Sequence, residues 1–217
     1  MERRWIIAQT PENGASTIPW TAICGDSCIT ELLKRKGFAD ADELDGFLRP
    51  RLRTLGDPFS LPNMRAAVDR ILRAIDAKER IVLFGDYDVD GVTSLALLAE
   101  MLRSYGADPA LFLPLRMEEG YGLSPESVTR CCGLHRPELL IAVDCGTSSV
   151  AEIAALDARG ADVIVLDHHE PKSALPQCVA MVNPKIDGDC EHQYLCSVGI
   201  VFKLCHALLK TRPSANF

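Results

Sequence analysis

The chain has 217 residues, 47% of them hydrophobic, and 23 Lys and Arg against 30 Asp and Glu give it a formal net charge of −7. Such a length fits one domain with an extension, or two small ones, with apolar content ample for a core. No apolar run approaches the roughly 18 residues of a membrane span, the apolar stretch in Met1-Glu2-Arg3-Arg4-Trp5-Ile6-Ile7-Ala8 is too short for a secretory signal, and the acidic balance argues that this chain alone binds nucleic acid weakly.

Residues 1–77 read as a helical amino-terminal extension. Ser27 or Thr30 is placed to cap a helix through Lys34. Ala41 to Leu48 reads as a second helix, stopped before Pro50. Pro58 and Pro62 punctuate a loop, and Met64 to Ala77 spaces Ala67, Val68, Ile71, Leu72 and Ile75 on one helical face. This region is expected to be packing scaffold without a catalytic residue.

From Ile81 onward strands and helices alternate. Ile81-Val82-Leu83-Phe84, Leu139-Leu140-Ile141-Ala142-Val143 and Val163-Ile164-Val165-Leu166 are short, wholly apolar runs, the pattern of strands buried on both faces. Leu111 to Leu113 and Cys178 to Val182 read as further strands. Helices are expected over Val92 to Tyr105, with Ser94, Ala96, Leu97, Leu98 and Met101 against a sheet; over Pro125 to Cys132, with Ser124 as cap; over Val150 to Arg159; and over Ser197 to Lys210. The alternation predicts an α/β fold with a doubly wound, mostly parallel sheet, Rossmann-like, behind the helical extension.

Nine cysteines in a chain of this length, without an export signal and set in strand and helix patterns, read as reduced thiols of a cytoplasmic protein. Neither Cys24 with Cys28 nor Cys190, His192 and Cys196 has the matched second pair of a zinc site.

The three apolar runs share one further property: each ends in carboxylates or imidazoles. Asp86-Tyr87-Asp88-Val89-Asp90-Gly91 follows the first, Asp144-Cys145-Gly146 the second, and Asp167-His168-His169 the third. Singly, each is the kind of residue that caps a helix or makes a turn. In an open parallel sheet, however, ligand groups collect beyond the carboxyl ends of the strands, so three segments are expected to deliver one polar cluster. Hard oxygen donors with imidazole suit manganese, magnesium, iron or zinc. Packed carboxylates repel unless cations offset them. A divalent pair about 3.5–4 Å apart can support in-line displacement at phosphorus, which makes metal-assisted hydrolysis of a phosphate ester or anhydride the expected chemistry. Gly120-Tyr121-Gly122 reads either as a tight surface turn or as a loop whose backbone approaches phosphate while Tyr121 stacks on a base.

These blocks resemble the DHH phosphoesterase superfamily, named for the Asp-His-His triplet, and within it the RecJ-like single-stranded-DNA-specific exonucleases. Phe84 to Gly91, Glu119 to Leu123, Val143 to Gly146 and Val165 to Glu170 carry the resemblance. Phe47-Leu48-Arg49-Pro50, Leu55-Gly56-Asp57-Pro58, Asn183-Pro184-Lys185 and Ser197 to Leu204 add weaker matches, from about Trp5 to about Leu209.

The resemblance implies that Asp88, Asp90, Asp144 and His168 ligate metal, with Asp86 a ligand or a partner just behind the ligands. Asp167, His168 and His169 would be the catalytic triplet, Asp167 orienting the histidines and His169 touching metal or the scissile phosphate. Arg116, Tyr121, Gly122 and His169 would face the substrate. It implies two divalent cations, manganese or magnesium, and 5′→3′ hydrolysis of single-stranded DNA in repair and recombination. Residues 78–217 would be the DHH catalytic domain, cut short at its carboxyl-terminal end. RecJ-like enzymes carry a further metal-binding Asp, a DHH-associated domain and an oligonucleotide-binding fold beyond Phe217, where single-strand-binding protein or helicase partners would dock. Small-substrate DHH hydrolases, acting on pyrophosphate, oligonucleotides or cyclic dinucleotides, and non-catalytic replication scaffolds are the competing readings. The lead-in helices and the Glu119 to Leu123 block favour the RecJ-like exonuclease over the small-substrate hydrolases. The intact set of carboxylates and histidines argues against a scaffold.

Overall fold

The computed structural model describes residues 18–20, 27–115, 117–172, 174–188 and 190–214. Packing divides the chain into two compact units, Met1–Gly56 and Asp57–Phe217. In the first, α1 (Ser27–Lys36) and α2 (Ala41–Leu48) close a small apolar cluster of Ile18, Leu33 and Leu44. Asp40 caps α2, its carboxylate accepting from the Glu43 N–H at 2.8 Å, while Glu43 reaches back to accept from the Ala39 N–H at 2.6 Å.

The second unit holds α3 (Met64–Ala77), β1 (Ile81–Phe84), α4 (Val89–Ser104), β2 (Ala110–Phe112), α5 (Pro125–His135), β3 (Leu139–Val143), α6 (Val150–Asp157), β4 (Asp162–Leu166), β5 (Ala180–Val182) and α7 (Ser197–Thr211). The five strands form one sheet in the order β2-β1-β3-β4-β5, parallel throughout. Side-chain alternation sorts the apolar runs onto two faces. Ile81, Leu83, Leu139, Ile141, Ile164 and Leu166 pack with α3, α4 and α7. Val82, Phe84, Leu140, Ala142, Val163 and Val165 pack with α5 and α6. Both faces are covered, which is why these runs contain no polar residue.

After β1 the chain adds β2 on one side and then returns to lay β3, β4 and β5 on the other. The boundary between β1 and β3 is therefore the point where winding reverses, the place where open parallel sheets commonly bind ligands beyond the carboxyl ends of their strands.

Some boundaries differ from expectation. Helix α4 begins at Val89 rather than Val92, because Asp88 caps it. Within α4, Ala96 faces solvent, and Ser94, Leu95, Leu98, Ala99, Met101 and Leu102 make the buried stripe. Helix α5 runs on to His135, with Ser124 and Ser127 forming a reciprocal cap at its start. Helix α1 reaches Lys36, α6 ends at Asp157 and β5 begins at Ala180. Within the second unit, Leu61, Met64, Val68 and Ile71 pack into the core beneath the sheet.

At the amino-terminal edge of the sheet, Arg70 of α3 is buried and donates to Asp162 at 2.5 Å and to Glu79 at 2.6 Å. It joins α3 to the starts of β1 and β4. Replacing it, as Arg70→Met, leaves two carboxylates without their donor; we expect a loss of about 1–3 kcal/mol in urea unfolding, and a variant as stable as the parent would show that the clamp contributes nothing.

Candidate metal centre

Three loops and one helix end build the site. In the loop after β1, Asp86 is fully buried and accepts from the Tyr87 N–H through Oδ1 at 2.7 Å, while its Oδ2 is buried without a hydrogen-bond partner. Asp88 caps α4 by accepting from the Gly91 N–H at 2.9 Å, which places Asp90 in the first helical turn. Gly91 is there for space. A Cβ on it would lie 2.4 Å from the Asp86 carbonyl oxygen.

In the loop after β3, Asp144 is buried and holds a left-handed φ of 61°, its N–H donating to the Leu166 carbonyl at 3.0 Å. In the loop after β4, Asp167 is buried and accepts four bonds: from the N–H of Thr147 at 3.0 Å, His168 at 2.7 Å and His169 at 3.2 Å, and from His169 Nδ1 at 2.7 Å. Just past β5, buried Asn183 donates to Thr147 Oγ1 and to the His169 carbonyl, each at 2.9 Å. Helix α7 closes the fourth side. The N–H groups of Ser197 and Val198 donate to the two oxygens of Asp90, each at 2.8 Å, and Ser197 Oγ donates to Asp144 Oδ1 at 2.8 Å.

Two donor sets result. Asp86, Asp88 and Asp144 each offer an atom, all within 4.8 Å of one another, and so do Asp144, His168 and His169. Asp144 belongs to both. Asp90, expected among the ligands, lies in neither set. Its carboxylate instead caps α7, with Oδ2 at 3.7 Å from His168 Nε2. His168 Nε2 lies 3.4 Å from Asp144 Oδ1.

The electrostatics follow from burial and crowding. Burial pushes Asp86 above the usual carboxylate range. Burial and the neighbouring Asp90 and Asp88 carry Asp144 up to about 7, against the bond from Ser197. The Gly91 N–H bond holds Asp88 low. Burial also drives Asp167 upward, but the bonds from His169 and Thr147 outweigh it and hold it at about 2. Burial lowers His168, whereas the bond to Asp167 raises His169. Asp167 thus stays ionised and fixes His169 through Nδ1, which leaves Nε2 as the ring's other polar atom, on the side of the Tyr121 hydroxyl. The crowded, raised carboxylates are the state expected of a cluster that a cation would offset.

Of the expected substrate-side residues, Arg116 lies outside the described residues. Tyr121 is half-exposed with its hydroxyl 3.4 Å from His169 Nε2, and its ring meets Tyr87 and His169 edge-on. Burial and the nearby Asp86 push its phenol pKa upward. Gly122 has a φ of 64°, and a Cβ there would sit 3.2 Å from Cys145 Cβ. A cavity of about 190 Å³ opens beside His169, lined in part by Tyr121, Ser148, Ser149 and Lys172. Sequence reasoning gave no role in the site to Thr147, Asn183 or Ser197. Each is a polar residue at a strand or helix end on this side of the sheet, which is the signal that singled out the aspartates.

Residues 80–216 match the DHH family, N-terminal domain. The chain is 39% identical over 187 residues to the single-stranded-DNA-specific exonuclease RecJ of Bacillus subtilis strain 168, a match covering 85% of this chain and 24% of that protein. Among solved structures, exonuclease RecJ bound to manganese superposes with a TM-score of 0.64 at 36% identity, over 70% of this chain and 38% of that one. RecJ of Thermus thermophilus in complex with Mn2+ gives 0.62 at 32% identity, over 76% and 22%. The chain spans less than a third of the length of the curated relatives it matches. The winding order of the sheet, the carboxylates and histidines at its carboxyl end and the family match converge: this chain belongs to the DHH family and carries its N-terminal domain in residues 80–216.

Proposed function

We propose that this chain is the amino-terminal catalytic core of a 5′→3′ exonuclease that hydrolyses single-stranded DNA with two divalent cations, manganese or magnesium. One observation carries the reading: two donor sets share the buried Asp144, and Asp86 of the first set keeps a buried carboxylate oxygen without a hydrogen bond. Oxygen and imidazole donors without thiolate fit these cations. Asp86, Asp88 and Asp144 would hold one, and Asp144, His168 and His169 the other, while Asp90, on α4, caps α7 beside them. Bound there, a cation pair supplies charge stabilisation for in-line displacement at phosphorus.

The protein's own residues do the rest. Asp167 sets the orientation of His169, Tyr121 flanks it, and Gly122 lets that loop close on Cys145. Tyr121 and Gly122 would lie on the side from which the nucleic acid enters. The names of the relatives support single-stranded DNA as substrate, and a role in DNA repair and recombination goes with it. The free thiols among the described residues fit a reduced, cytoplasmic setting. None of the described helices is long and apolar enough to cross a membrane.

The test is release of mononucleotides from 5′-phosphorylated single-stranded DNA with manganese, beside an Asp144→Asn control. Release by the parent alone supports the reading. Equal release by both chains, or preferential cleavage of a dinucleotide over the long strand, would overturn it. A second measurement reaches the supporting network. Asp167→Asn turns an amide toward donors that now find a carboxylate, so Mn2+ affinity should fall about 10–100-fold in an EPR titration. Unchanged affinity would detach Asp167 from the centre.

A further inference from the structure

Helix α7 contributes no donor to either set, yet three of its polar groups end on the site. The Ser197 and Val198 N–H groups hold both oxygens of Asp90, and the Ser197 hydroxyl holds Oδ1 of Asp144. Ser197 is the first residue of α7 and is fully buried, as Asp144 is to within 1%. The residue before it, Cys196, makes no side-chain capping bond. Asp90 therefore does the capping from another helix, and Ser197 turns its hydroxyl away from its own helix.

That hydroxyl meets the carboxylate common to both sets. A carboxylate turns freely about its last bond unless something fixes it, and Asp144 is shut off from solvent. On the reading given under Proposed function, Asp144 would be a donor to both cations, and a rotation of its carboxylate would disturb its place in both sets. We propose that Ser197 is a positioning residue: its hydroxyl sets the rotation of the Asp144 carboxylate, so that this one side chain can serve both donor sets. Carboxylate ligands are commonly held in this way by a neighbouring donor, and losing such a partner costs about 10–100-fold in metal affinity. The bond to Oδ1 uses one acceptor position and leaves the others on that side chain open.

Three chains separate this role from a packing role: the parent, Ser197→Ala, which keeps the N–H bond to Asp90 and loses only the hydroxyl, and Ser197→Cys, which keeps the branching and fills the site with a slightly larger, weak donor. Each is titrated with Mn2+ alone and followed by EPR, and each is melted without metal. We expect the parent to bind two equivalents, Ser197→Ala to bind at least about 10-fold more weakly or to lose the second equivalent, and Ser197→Cys to fall between. A metal-free melting point close to the parent's then assigns the loss to the centre. If Ser197→Ala folds and binds two equivalents with parental affinity, the inference is overturned. If it does not fold, Ser197→Cys decides, and parental affinity there overturns the inference equally. A parent that binds no Mn2+ removes the cation reading itself, and this inference with it.

Discussion

Asp144→Asn is expected to abolish Mn2+ binding and to lower single-strand hydrolysis on the order of 10³-fold or more, because the support a cation gives is worth several kcal/mol and this one side chain is shared by both donor sets. The substitution isolates charge from shape. Asn has nearly the volume of Asp, tolerates the left-handed φ of 61° found here, and can still accept from Ser197 Oγ. Metal-free stability should therefore not fall. It should rise if anything, since a buried carboxylate crowded by Asp90 and Asp88 is relieved of its charge. Loss of binding at unchanged or higher melting temperature is the predicted pair of results. An Asn variant that binds two Mn2+ with parental affinity would dismiss the shared-ligand arrangement.

Gly91→Ala is the second large effect, and its sign runs against helix propensity. On an exposed helix the same change gains about 1 kcal/mol. Gly91 sits in the first turns of α4, where the new methyl would lie 2.4 Å from the Asp86 carbonyl oxygen and 2.8 Å from its backbone C and N. Backbone cannot yield as a side chain end can. Either the β1 loop or the start of α4 has to move, and with it Asp86, Asp88 and Asp90. We expect a destabilisation of about 1–3 kcal/mol and a loss of hydrolysis on the order of 10² from displaced donors. Thermal unfolding and Mn2+ stoichiometry read the two effects separately. A variant more stable than the parent with full Mn2+ binding would mean that the close approach is not needed.

Much of the architecture was legible because local signals agreed. α2, α3, β1 and β3 begin and end where the apolar pattern meets a Pro, a capping residue or an acidic loop. The start of α4 was misplaced because Asp90-Gly91 looks like a turn; in the fold Gly91 is helical, and the cap lies earlier, at Asp88. The strand-end carboxylates and histidines stood out by residue type and position, and the fold brings Asp86, Asp88, Asp144, His168 and His169 together. What the sequence hid depends on partners distant in the chain. Asp90 has the composition of a ligand, but its carboxylate is engaged by N–H groups of residues 197 and 198. Asn183 and Thr147 matter through bonds to each other and to the Asp167 loop. No local pattern announces such pairings.

The Asp90 clasp also sets an order in time. The donor residues lie between positions 86 and 169, while the helix that fixes two of their loops begins at 197. A chain emerging from the ribosome amino terminus first has exposed every donor before α7 exists to hold Asp90 and Asp144 in place. The centre can take its final form only once α7 docks on α4 and the β1 loop. Until α7 has emerged and docked, the loops that carry Asp90 and Asp144 therefore lack the groups that clasp them.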